Sequence, residues 1–273
     1  MLSKKQIKGI EELQHACEAA ESIQMKLNWD MLHTRKEQEI SDFFHYEDGK
    51  LVGFIGLYGF GNKVEICGMV HPRYRRKGIF TDLFNQVFEV IEERKYSQIL
   101  LNAPSTSESA KGFLQTIQCS YSFSEYQMKC EEADFVLQDD VNLRLASPDD
   151  IEIEILLDVE CFGLEAEEAL EHNMRMKEDN QEQFYIIETN AKSVGKLRIS
   201  HTNGEAWIYG FAVLPEHQGK GIGRKALTNA ILNEHQKGYP VFLEVEAKNN
   251  HALRLYESCG FKSFHSQDYY RLT

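Results

Sequence analysis

One run of this sequence has the residue types and spacing for anion chemistry: FAVLPEHQGKGIGRKAL, Phe211 to Leu227. An apolar stretch ends near Pro215, which has no N–H and cannot continue a strand ladder. Gly219, Gly221 and Gly223 follow at alternate positions, and a helical pattern starts at about Gly223. Glycines let the backbone approach a ligand, and the first N–H groups of a helix lack internal partners and carry partial positive charge. Together they form a cradle for a phosphate or pyrophosphate, with Lys220 and Arg224 adding charge at its edge. A purely structural turn has the same composition. The Walker loop is excluded, because Lys225 is followed by Ala226 where that loop needs a hydroxyl. The dinucleotide fingerprint is excluded as well: Arg224 stands where its third glycine belongs, and the loop follows hairpins in mid-domain.

The elements that must position this loop occur twice. Ala212–Gly223, AVLPEHQGKGIG, aligns without a gap on Met69–Phe80, MVHPRYRRKGIF, with Val, Pro, Lys, Gly and Ile coinciding. Both runs follow a β-rich segment and precede an amphipathic helix. Both helices lead into an apolar strand and then a second helical stretch, NNHALRLYESCGF in one copy and TSESAKGFLQTI in the other. A shared order of strand, loop, helix, strand and helix marks an internal repeat. The copies meet in the polar stretch Glu131–Asp140, which gives domains 1–134 and 141–273. The second copy opens with a strand, VNLRL, and a turn at Ser147–Pro148 with acids in the first helical turn. The first opens directly on a helix, so its opening strand is missing. Hairpin turns are expected at Asp48–Gly49, Thr189–Asn190 and Asn203–Gly204.

The loop pattern Gln218-x-x-Gly221-x-Gly223 after a strand ending Val213-x-Pro215, with the downstream Asn249…Ala252…Tyr256…Gly260-Phe261, resembles the GNAT N-acetyltransferases. The likeness is good over Val141–Thr273 and weak over Ser41–Lys129. It implies an α/β (α+β) fold of two tandem GNAT-like domains, each a mixed, mostly antiparallel twisted sheet flanked by helices. It implies acetyl-coenzyme A as cosubstrate and no metal. By the same resemblance, backbone groups of Phe211, Ala212 and Val213 would meet the pantetheine arm. Gln218, Gly219, Lys220, Gly221, Ile222, Gly223 and Arg224 would hold the pyrophosphate, Asn249 would touch the cofactor, and Tyr256 would protonate the departing thiolate. These residue types suit the roles: amides stabilise charge on a carbonyl oxygen, and a phenol is a general acid toward a thiolate. Asn249 is equally suited to cap a helix, and Tyr256 to fill a core beside Leu253 and Leu255.

An attacking amine of pKa about 10 must lose a proton. Trp207 stands where several family members carry a base. Glu205 lies on the same strand face, Glu244 and Glu246 share a face of the next strand, and water is the remaining candidate. In the first copy, Arg75, Arg76 and Phe80 replace Gln218, Gly219 and Gly223, while Ser107 and Leu114 fall at the Asn249 and Tyr256 positions. The phenol is therefore absent there, and Phe80 is expected to crowd a pyrophosphate. The first copy reads as a degenerate domain.

Composition bounds the rest. A net charge of −13 lacks the cationic footprint of a nucleic-acid binder and inclines toward a cationic or small amine acceptor. The six cysteines contain no C-x-x-C pair, which argues against zinc and suits reduced thiols. The N-terminus carries no apolar signal region and no run is long enough to span a membrane, so a cytoplasmic protein is expected, monomeric or homodimeric, acting on a small-molecule or peptide amine. The competing class is a non-catalytic acyl-coenzyme A sensor.

Overall fold

Period-two apolar runs and helical stretches alternate along the chain, and they fold accordingly. The computed structural model describes residues 1–35, 40–131, 135–177, 182–202 and 204–273. In chain order the elements are α1 (Lys4–Glu21), α2 (Trp29–His33), β1 (Asp42–Glu47), β2 (Lys50–Phe60), β3 (Lys63–Val70), α3 (Ile79–Arg94), β4 (Gln98–Pro104), α4 (Glu108–Leu114) and β5 (Cys119–Cys130). Then come β6 (Asn142–Leu145), α5 (Ile151–Phe162), α6 (Ala166–Lys177), β7 (Glu182–Thr189), β8 (Lys192–Thr202), β9 (Glu205–Val213), α7 (Ile222–Gln236), β10 (Val241–Glu246), α8 (Asn250–Ser258) and β11 (Phe261–Leu272).

The chain forms two units, Met1–Ser124 with His265–Thr273, and Glu125–Phe264. The divisions fall inside β5 and β11, so each of these strands gives one half to each unit. The tail His265–Thr273 thus belongs with the first unit, although its sequence follows the second copy. Residues 132–134, within the polar stretch between the copies, lie outside the described residues.

In the first unit β1, β2 and β3 pair antiparallel, β3 and β4 parallel, and β4 with the end of β11 antiparallel. Strand β2 is buried on both faces, as its unbroken apolar run demands. One face packs on Leu83, Val87 and Ile91 of α3, the other on Ile10, Leu13 and Cys17 of α1. Among the described residues the unit opens on α1, with no strand before it.

In the second unit the sheet order is β5-β10-β9-β8-β7-β6. The β9–β10 pair is parallel; its neighbours are antiparallel. One face lies under Leu227, Ala230 and Ile231 of α7, and the other carries Ala212 against Leu157 of α5. Each unit is thus a mixed, mostly antiparallel sheet flanked by helices.

The turns follow local chemistry. Asp48 and Gly49 both take positive φ, +49° and +76°, between β1 and β2, as a tight hairpin requires. The β7–β8 turn lies one residue beyond its expected place, with Asn190 and Ala191 at φ +51° and +58°. Thr189 remains in the ladder opposite Lys192. Of the third turn, Asn203 lies outside the described residues and Gly204 has φ +80°.

The entry to α5 is fixed by Asp150. Its carboxylate accepts from Ser147 N at 2.7 Å, Ser147 Oγ at 2.8 Å and both terminal nitrogens of Arg144 at 2.9 Å. The Arg144 hydrogen bonds hold its carboxyl well below the usual carboxylate range. A group depressed in the folded state stabilises above its unfolded pKa of about 3.9 and loses that contribution as pH falls. Asp150→Asn is therefore expected to cost about 1.5–3 kcal/mol at neutral pH. In urea titrations the gap to the parent should narrow steadily below about pH 4; a pH-independent gap would refute the assignment.

Candidate functional site

Strands β9 and β10 pair only over Ala206–Ile208 and Val241–Leu243. Beyond that level β9 stays with β8 as far as Val213, and β10 stays with β5 as far as Glu246. The two strands diverge at their carboxyl ends and leave a crevice, the usual place for a ligand in a sheet with parallel neighbours. The β8–β9 register shifts between Lys196 and Arg198, and neither Gly210 nor Phe211 has a ladder partner there. Gly210 has φ +57°. This is a β-bulge, one extra residue that turns backbone groups of Gly210 and Phe211 away from β8. A lone glycine inside a strand pattern is the sequence signal for it.

After β9 the chain makes a short helical turn at Pro215–His217 and enters α7. Gly219 and Gly221 take φ +72° and +79°, and a Cβ at either would meet no atom within 4 Å. Space therefore lies open in front of α7, whose first N–H groups at Ile222, Gly223 and Arg224 have no intrahelical partner. Lys220 and Arg224 are exposed at the rim. This cradle fits a pyrophosphate. Gln218, though exposed, folds back on its own loop: its Nε2 donates to Val213 O at 2.8 Å and braces the loop. Cys161 Sγ also donates to that carbonyl, at 3.4 Å, so the Val213 oxygen is already engaged. Ala212 faces α5. Phe211 faces α7 and α8, with its ring beside Gly223, where a Cβ would lie 3.5 Å from Phe211 Cζ.

Asn249 caps α8, its Oδ1 accepting from Ala252 N at 3.0 Å. Tyr256 lies on the same helix, 8% exposed, between the rings of Phe211 (6.4 Å) and Phe261 (6.1 Å). Burial pushes its phenol up to about 12. The phenol keeps its proton at any physiological pH.

Gly210 also lines a cavity of about 210 Å³ roofed by α5 and α6. Glu154, Asp158, Asn173, Lys196 and Arg198 contribute to its wall. The glutamates considered as bases stand elsewhere. Glu205 accepts from Trp207 Nε1 at 2.9 Å, Glu244 accepts from Gln127 Nε2 at 3.0 Å, and Glu246 is exposed. None of the three lines the cavity. Sequence reasoning passed over Glu154 and Asp158, whose spacing of four in an apolar helix places them on one face. Among the described residues no cluster of His, Cys, Asp and Glu could hold a metal ion, and no helix is long and apolar enough to cross a membrane.

The first unit repeats the loop but not the site. Arg75, Arg76 and Gly78 have nearly the backbone angles of Gln218, Gly219 and Gly221, with Arg76 at φ +64°. Arg75 Nε donates to Val70 O at 3.0 Å, as Gln218 does to Val213. The resemblance ends there. Strands β2 and β3 run from Gly53–Val70 to Gly56–Cys67 without a register shift, so β3 carries no counterpart of the bulge at Gly210; the register shift of this unit lies between β1 and β2, at His45 and Tyr46. The carboxylate of Glu21, at the end of α1, accepts from Arg75, from Ser107 Oγ at 2.9 Å and from Ser109 Oγ at 2.6 Å. Burial raises its carboxyl, but the Ser109 and Ser107 hydrogen bonds and the Arg75 charge outweigh burial and hold it below the usual range. The space between loop and α4 is thus taken by the chain's own anion. Phe80 does not crowd the loop mouth as expected. Its ring lies over Gly68, 3.0 Å from where a Cβ would stand, and 4.5 Å from Phe113. Gly68 and Phe80 are the exchanged counterparts of Phe211 and Gly223: one ring fills the same gap from opposite sides.

The model of the Acetyltransferase (GNAT) family matches this chain twice, over residues 7–116 and 151–261. The chain is 33% identical over 93 residues to a spermidine N(1)-acetyltransferase of Vibrio cholerae, a match covering 30% of this chain and 51% of that protein. It is 47% identical over 66 residues to a mycothiol acetyltransferase of Kocuria rhizophila, covering 23% and 22%. The matches thus span about half or less of these relatives. A GCN5-related N-acetyltransferase from Sphaerobacter thermophilus shares the fold, with TM-score 0.79 and 19% identity over 99% of this chain and 93% of that one. So does a tandem GNAT protein from the clavulanic acid biosynthesis pathway, with TM-score 0.73 and 15% identity over 98% and 95%. With the family model matching most of its length in two copies, the chain belongs to the GNAT acetyltransferase family, in tandem form.

Proposed function

We propose that the second unit moves an acetyl group from acetyl-coenzyme A to the primary amine of a small or cationic acceptor. The observation that carries this reading is the coincidence, within one unit, of the bulged Gly210–Phe211, the open cradle before α7 and the phenol of Tyr256. Relatives whose names give amine acceptors, spermidine and the alanine of ribosomal protein bS18, support it. The sequence copies are read as domains 1–134 and 141–273, the first without turnover, in a cytoplasmic monomer or homodimer that needs neither metal, nucleic acid nor membrane.

Acetyl-coenzyme A supplies the activated acyl group and a thiolate leaving group. The α7 N–H groups, with Lys220 and Arg224, hold the pyrophosphate, and Gln218 keeps the loop in the shape that presents them. Backbone N–H at the bulge stabilises charge developing on the acyl oxygen, a contribution commonly worth about 3–4 kcal/mol. Asn249 fixes the start of α8 and with it the height of Tyr256. The phenol donates to the sulfur as charge develops there. Full proton transfer from a group near 12 to a thiolate whose acid form is near about 8.5 runs uphill, so the hydrogen bond precedes it. The amine sheds its proton through water or a carboxylate.

Tyr256→Phe is expected to lower kcat by about 10²-fold with little change in the KM for acetyl-coenzyme A. A full rate would remove the phenol from the mechanism. Because the phenol stays protonated to about 12, the parent should show no alkaline fall in kcat from Tyr256 below about pH 10. Gly221→Val forces a β-branched residue into φ near +79° and fills the cradle. It should act on the other parameter, raising the KM for acetyl-coenzyme A about tenfold or more; an unchanged KM would argue against the cradle.

A further inference from the structure

Apart from His172, the charged side chains lining the cavity beside Gly210 are two carboxylates and two cations, so their charges balance. Two carboxylates of its wall, Glu154 and Asp158, are 1% and 4% exposed, and a third, Glu182, is paired with the wall residue Arg198. Each has its own cation: Lys177 reaches Glu154, Lys196 stands 2.7 Å from Asp158, and Arg198 reaches Glu182. Asn173 donates to Asp158 at 2.6 Å, and Lys196 also donates to Glu154 O at 3.2 Å. Withdrawing charges from water costs several kcal/mol per ion, and well-packed apolar residues would serve stability as well or better. A ligand would account for an ionic network kept in the wall of a cavity that opens on a backbone bulge.

The charge count limits the ligand. A polyamine would bring two or more positive charges to carboxylates already matched by Lys177, Lys196 and Arg198. A dianion would upset the balance in the other direction. A ligand that is neutral overall but locally charged leaves it intact. Arg198 gives such a ligand its orientation. One of its five N–H groups goes to Glu182. Its guanidinium lies 4.7 Å from the centre of the Tyr209 ring, and its Nε is 4.0 Å from where a Cβ on Gly210 would stand. A rigid, ring-stacked guanidinium suits a carboxylate, which it can bind through two parallel hydrogen bonds.

We propose that this cavity binds a small aminocarboxylate, with Arg198 holding its carboxylate and so setting its amine beside the bulge. The proposal rests on the acetyl-transfer reading, deepens it by naming the acceptor class, and makes Arg198 a specificity-determining residue.

The test follows thiol release from acetyl-coenzyme A by the full chain with a panel of small aminocarboxylates, their matching amides, and spermidine. At least one aminocarboxylate should exceed both its amide and spermidine by tenfold or more in kcat/KM. Arg198→Gln should raise the KM for the aminocarboxylate at least tenfold more than for the amide. Arg198→Lys, which keeps a charge opposite Glu182 but loses the planar fork, should fold as the parent does and still lose most of the preference. Preference for spermidine or for the amide, or an undiminished gap in both variants, would overturn the proposal. Binding is read separately, by saturation-transfer NMR of the aminocarboxylates with coenzyme A present. Arg198-dependent binding without thiol release would keep the acceptor class and sink the transfer reading. Thiol release with other amines and no aminocarboxylate binding would do the reverse.

Discussion

Two parallel strands that cannot stay together set the geometry of the second unit. Each of β9 and β10 is held on its outer side by an antiparallel partner, β8 and β5, for longer than the two hold each other. Sheet twist and the bulge at Gly210 draw them apart beyond Ile208 and Leu243. Gly210 and Phe211 thereby drop out of the ladder. The loop before α7, the cap at Asn249 and the burial of Tyr256 are all arranged around the end of that divergence. Without it, the glycines of the loop would be an ordinary strand-to-helix turn.

The first unit separates what the fold requires from what the site requires. It keeps the parallel pair, the loop angles and the brace on a valine carbonyl, Arg75 on Val70 in place of Gln218 on Val213. Arg76 even holds a left-handed conformation that glycine would adopt at less cost. It lacks the bulge beside the loop and the phenol, and Glu21 ties its Arg75 to Ser107 and Ser109 at the start of α4. The ring exchanged between Phe211 and Phe80 shows that packing tolerates either arrangement, provided one ring fills the gap.

Much of the site was legible because it is local. Proline after a strand, spaced glycines, a helix start and a repeat of the same order have direct backbone meanings, and the copy lacking a phenol was readable from Leu114 alone. What was not legible is non-local. A gapless comparison of Met69–Phe80 with Ala212–Gly223 stops short of the one extra residue at Gly210, so the bulge surfaced only in the register of β8 against β9. Period-two patterns in β5 and β11 mark strands but do not say that each is shared between units. Glu154 and Asp158 look like the polar face of a helix until Lys177 and Lys196 arrive from elements distant in sequence. Gln218 matches the family pattern by type, but only the structure turns it onto Val213.

We propose that the loop before α7 is a coenzyme site and that the matching loop before α3, whose Arg75 is held by Glu21, is not. Calorimetric titration of the full chain with acetyl-coenzyme A measures this directly. One molecule should bind per chain, about tenfold or more weakly in Gly221→Val, with the stoichiometry of Arg76→Gly unchanged at one. Two molecules per chain, or one bound as tightly in Gly221→Val as in the parent, would overturn this assignment.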